Sequence, residues 1–90
     1  MEKIIITVVG KDAVGIIAKT SAYLAKNGIN ILDISQTVVQ DYFNMMMIAD
    51  SGKSRSSFEK ISTSLAAIGN DLGLEIRCQK AEIFERMHRV

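Results

Sequence analysis

The 90-residue chain has one cysteine, one histidine and no proline. A lone cysteine cannot close an internal disulfide, and a free thiol fits a reducing, cytoplasmic compartment. Cys78 and His88 together cannot build a zinc site, so neither a metal nor another cofactor is expected. Charge of one sign is scarce as well. Eleven Lys and Arg against ten Asp and Glu leave a net +1, which argues against a protein that works by gripping nucleic-acid phosphates. No apolar run approaches the roughly 20 residues of a membrane span. The apolar part of the start, Ile4 to Val9, is too short for a secretory signal. What is present is globular. Hydrophobic residues make up 48% and charged residues 23%, which excludes a disordered tail. One small domain with a thin core is expected.

Ile4 to Val9 is dense in β-branched residues and reads as a strand buried on both faces. After Gly10–Gly15, the residues Val14, Ile17, Ala18, Ser21, Leu24 and Ala25 fall on one helical stripe. Asp12 is placed to cap that helix, and Asn27-Gly28 supplies its exit. Ile29 to Val39 and Tyr42 to Ala49 read as two strands joined at Gln40-Asp41, a tight turn without glycine. Phe43, Met45, Met47 and Ala49 face one way, and Tyr42, Met46 and Ile48 the other. Phe58, Ile61, Leu65, Ile68 and Leu72 give the cleanest helical period, capped by a serine among 54–57 and ended by Gly73. Leu74, Ile76 and Cys78 alternate with polar residues as a last strand. Residues 81–90, with Ile83, Phe84 and Met87, read as a short amphipathic helix.

This order predicts an α+β, ferredoxin-like βαββαβ sandwich: a four-stranded antiparallel sheet with two helices on one face, plus a C-terminal helix. The first and third strands sit in the middle. Phe58, Ile61, Leu65, Ile68, Leu72, Ile17, Leu24, Leu74 and Ile76 are expected to be buried. The second sheet face then needs a cover, from the C-terminal helix or from a second subunit.

Catalytic chemistry is hard to assemble. Cys78 faces inward by alternation, His88 lies near the end, and the carboxylates Asp12, Asp33, Asp41 and Asp50 are scattered. Gly10-x-x-x-x-Gly15 is followed by Ile16-Ile17 where a phosphate loop needs Lys and then Ser or Thr. What remains is a glycine-bearing turn at a helix N-terminus. It either holds an anion or is satisfied by Asp12 as a cap. Met45 to Met47 reads mainly as core. Arg86, His88 and Arg89 adjoin Glu82 and Glu85 and read as a solvated helix face.

The stretch Thr7-Val8-Val9-Gly10-Lys11-Asp12-Ala13-Val14-Gly15-Ile16-Ile17-Ala18, followed by Leu24-Ala25-Lys26-Asn27-Gly28-Ile29-Asn30-Ile31, resembles an ACT domain. With Asp33 to Thr37 and the ending Ala81-Glu82-Ile83-Phe84, the whole chain is similar to small stand-alone prokaryotic ACT proteins. It is also similar to the ACT modules of glycine-cleavage repressors and formyltetrahydrofolate deformylases. The resemblance implies an ACT domain over residues 1–80 and a helical extension over 81–90. It implies a non-catalytic regulatory module, a homodimer, that binds a small molecule such as an amino acid. A pure interaction module without a ligand is the alternative. By position, the ligand would sit between the loop Lys11, Asp12, Ala13, Val14, Gly15 and Ile16 of one subunit and Asn30 of its partner. Asn30 is equally readable as a strand-entry residue bonding local backbone. Many members carry Arg-Pro where this chain has Ala13-Val14. The implied partners are a second copy, a small ligand and a regulated protein, with no membrane and no direct nucleic acid.

Overall fold

The computed structural model describes residues 2–11 and 15–82. Six elements follow in order: β1 (Lys3–Lys11), α1 (Ile16–Lys26), β2 (Asn30–Val39), β3 (Tyr42–Asp50), α2 (Phe58–Leu72) and β4 (Glu75–Lys80). The sheet order is β2-β3-β1-β4, and every adjacent pair is antiparallel. The expected ferredoxin-like sandwich is therefore the fold, with β1 and β3 central.

The core lies between the helices and one sheet face. Ile4, Ile6 and Val8 of β1 meet Met45, Met47 and Ala49 of β3 and Ile76 and Cys78 of β4. Pleating sends the intervening residues to the opposite face. α2 follows the predicted period: Ile61 and Leu65 are buried, while Phe58, Ile68 and Leu72 are half-buried at its margins. Gly69 lets α2 approach β4, because a Cβ there would lie 2.8 Å from the Leu74 carbonyl oxygen. α2 ends at Gly73, as expected. Burial pushes the Cys78 thiol up to about 11, so it is an inert core residue.

α1 departs from expectation by one residue of phase. Its buried residues are Ile16, Thr20 and Leu24, whereas Ile17 keeps 41% of its exposure. The cap position is Gly15 rather than Asp12. Starting at Gly15, the helix turns the first isoleucine of the pair inward and the second outward.

The two edges differ. β4 has six residues, with Glu75 and Arg77 joined in an ion pair at 2.9 Å. β2 has ten, and from Leu32 onward all are exposed, including Ile34, Val38 and Val39. A register shift between Ile31 and Asp33 bulges this edge. Gln40 takes a φ of 54° to make the glycine-free hairpin turn. At one end of the sheet, the backbone N–H groups of Glu2 and Gly52 both donate to Asp50 Oδ1, at 3.1 and 2.9 Å. The Gly52 bond leads in holding the Asp50 carboxyl below the usual range. Ser51 N–H donates to the Glu2 carbonyl at 2.8 Å. The expected C-terminal helix falls mainly outside the described residues. Ala81 and Glu82 are helical, and Ile83, Phe84 and Met87 lie beyond.

Candidate binding site at the first helix

β1 carries the chain to one end of the sheet and hands it to α1. Gly15 stands at the start of α1 with a φ of 81°, a left-handed conformation that favours glycine. A Cβ at Gly15 would meet nothing within 4 Å. The glycine is thus required by the backbone angle, not by crowding.

α1 has no side-chain hydrogen bond at its cap position and no acidic residue in its first turn. The Gly15 carbonyl accepts from Lys19 N–H at 3.0 Å, so the helix is well formed from its first turn. Its leading N–H groups and the positive dipole end suit an anion. Lys11, at the end of β1, adds a cation. Its Nζ lies 5.6 Å from the centroid of the Tyr42 ring, a contact that sequence spacing does not display. It follows from Lys11 facing Tyr42 in the β1–β3 register. Ile16 is buried and anchors the turn. Asp12, Ala13 and Val14 lie outside the described residues.

Asn30 is placed elsewhere. It is exposed and pairs with Asp50, which pairs with Lys3. Lys11 pairs with Tyr42, which pairs with Val39. The two rows are the opposite ends of the sheet. Along β1 they are eight residue steps apart, about 26 Å at about 3.3 Å per residue. One chain therefore does not bring Asn30 to the Lys11–Ile16 loop.

Sequence reasoning also missed two hydroxyls on α1. Among the described residues, Thr20 Oγ1 and Tyr23 Oη are buried without a hydrogen-bond partner. Threonine on an apolar stripe was the available signal, obscured by the phase error. An open depression of about 480 Å³ lies at the far end, among Glu2, Lys3, Phe58 and Lys80. Lys80 Nζ sits 5.4 Å from the Phe58 ring centroid there, and nothing from the Lys11–Ile16 loop lines it. Among the described residues, no group of three or more Cys, His, Asp or Glu could hold a metal ion, and no helix is long and apolar enough to cross a membrane.

Comparison with known families places this arrangement. A model of the ACT domain matches residues 2–79. The chain belongs to the ACT domain family. A UPF0237 protein of Bifidobacterium longum is 51% identical over 90 residues, covering all of both chains. An ACT domain protein from Streptococcus pneumoniae superposes with a TM-score of 0.82 at 44% identity, over 93% of this chain and 94% of that one. A formyltetrahydrofolate deformylase from Pseudomonas syringae shares the fold, with a TM-score of 0.80 at 20% identity over 89% of this chain and 28% of its own. A structure described as a glycine cleavage system transcriptional repressor gives a TM-score of 0.72 at 25% identity, over 88% of this chain and 45% of that one. These are the resemblances the sequence carried.

Proposed function

We propose that this ACT domain is a non-catalytic, cytoplasmic regulatory module that binds a small carboxylate, such as an amino acid, as a homodimer. The observation that carries the reading is the start of α1. Its first-turn amides have no capping side chain from the Gly15 position and no acidic neighbour in that turn, and the Lys11 cation stands at the adjoining strand end. A ligand carboxylate would take those amides. The negative charge of Asp12 suits the ligand's ammonium.

The opposite placement of Asn30 supports two copies sharing each site. If β2 pairs antiparallel with β2 of a second copy, that copy's Asn30 comes to the Val39 end, in the row of Tyr42 and Lys11. The same pairing would cover Ile34, Val38 and Ile17, which keep 42%, 68% and 41% of their exposure. A protein-interaction module that binds no ligand is the second reading, favoured by the same bare apolar residues.

The test is thermal unfolding against the common amino acids. A ligand at 100 times its dissociation constant should raise stability by about 2.7 kcal/mol. Gly15→Val should remove that increment, because a branched residue resists a positive φ. Asn30→Ala should weaken it by about 0.5–1.5 kcal/mol, one hydrogen bond. If no amino acid shifts the transition, the interaction reading replaces the ligand reading. Light scattering that gives a monomer mass at micromolar concentration would remove the shared site.

A further inference from the structure

Lys80 breaks the inward register of β4. Ile76, Cys78 and Lys80 are alternate residues of that strand, paired with Val8, Ile6 and Ile4 of β1. Pleating puts all six on the helix-bearing face. Ile76, Cys78 and Ile4 are buried there, whereas Lys80 is exposed. Its Nζ lies 5.4 Å from the ring centroid of Phe58, the first residue of α2. The lysine therefore stands at the mouth between α2 and the sheet, where the core opens into the depression of about 480 Å³. Small-molecule sites span about 300–1,000 Å³, so the depression is large enough to hold a ligand.

The rim of this depression carries both signs of charge. Lys3 and Lys80 supply cations, and Glu2 and Glu82 supply carboxylates, around the half-buried ring of Phe58. Among the described residues, none of these four charges joins an ion pair. The pair on β4 is Glu75 with Arg77, on the opposite face of the strand. The rim is also held in place. Glu2 N–H donates to Asp50 Oδ1, and the Glu2 carbonyl accepts from Ser51 N–H at 2.8 Å and from Ser51 Oγ at 3.3 Å. A depression ringed by charges of both signs discriminates by repulsion. A simple anion meets Glu2 and Glu82, and a simple cation meets Lys3 and Lys80. A molecule bearing both charges answers both pairs, and its apolar part can lie against Phe58.

We propose that this depression is a second binding site, for a small zwitterion with a flat apolar body. The ligand's carboxylate pairs with Lys80, its ammonium with the carboxylates of Glu2 and Glu82, and its body packs on Phe58. The site lies at the opposite end of the sheet from Lys11. The inference stands independently of the ligand reading at α1.

Amide-resolved NMR titration of the full chain tests it. The probe is 4-(aminomethyl)benzoate, with 4-methylbenzoate and benzylamine as its single-charge counterparts. The zwitterion should shift the amides of Phe58, Lys80 and Ala81 and saturate below about 10 mM. Each counterpart should bind about fivefold more weakly or worse. Lys80→Gln should weaken the zwitterion by about threefold to fivefold, the worth of an exposed charge pair, and should not weaken benzylamine. Equal binding of the three probes, or no saturable shift, would overturn the site. So would a Lys80→Gln variant that binds the zwitterion as tightly as the parent, which would leave Lys80 as an inward charge guarding an edge strand. Shifts gathered at Ile16 to Lys19 instead would place the probe at the start of α1, overturning this site and favouring the other.

Discussion

The two helices of this domain begin in opposite ways. α2 starts from Ser57, whose backbone is extended and whose hydroxyl accepts from Lys60 N–H at 3.1 Å, with Glu59 in the first turn. α1 starts from Gly15, with a positive φ, no side-chain hydrogen bond from that cap position and no acid in its first turn. The inner stripes differ in the same sense. The buried centre of α2 is Leu65, and that of α1 is Thr20, each with 0% exposure. Leu65 only packs, whereas Thr20 Oγ1 lacks a partner. α2 has its local requirements met, and α1 keeps unsatisfied groups that cost stability.

The contrast can be tested by breaking each helix in turn. The largest effect should come from α2. Leu65→Ala should lower stability by about 2–5 kcal/mol, read by denaturant unfolding. A loss under 1 kcal/mol would show that α2 does not carry the core. Gly15→Ala should cost about 1–2 kcal/mol, the penalty of a left-handed non-glycine residue, and Gly15→Asn should cost less. If Gly15→Ala is neutral, the turn adapts and the backbone argument fails. Ser57→Ala should cost about 1 kcal/mol, the worth of one cap. Thr20→Val should have the opposite sign, raising the melting temperature by the equivalent of about 1 kcal/mol, because it removes a desolvated hydroxyl. A loss there would mean that Thr20 has a partner, and would erase half the contrast. Smallest is Asn30→Ala, exposed and without a packing role. It should change stability by no more than about 0.5 kcal/mol.

Most of the fold was legible because its strands and α2 carry strong periods. Ile61 and Leu65, and the alternation from Tyr42 to Ala49, leave little room for another reading. The phase of α1 was not legible. Ile16 and Ile17 are adjacent and equally apolar, and only the cap decides which turns inward. Pattern alone favoured Asp12 as that cap, yet the helix starts three residues later, at Gly15. The loop Lys11–Ile16 could be singled out as a candidate because its residues are contiguous in sequence. The separation of Asn30 from that loop was not legible, since it depends on strand register. Whether two copies reunite them depends on pairing between chains, which no single-chain pattern encodes.

The unequal edges of the sheet set a limit on growth. Should two copies join along β2, the long apolar edges face each other and are consumed. What remains outward at both ends is β4, short, bearing Glu75, Arg77 and Lys80 and ill suited to recruit another strand. The bulge between Ile31 and Asp33 adds a second restraint, because a strand sliding along β2 would lose its matched backbone partners there. A chain with so exposed a flank would otherwise be a template for ribbons of indefinite length. On that pairing, assembly through the sheet would stop at two.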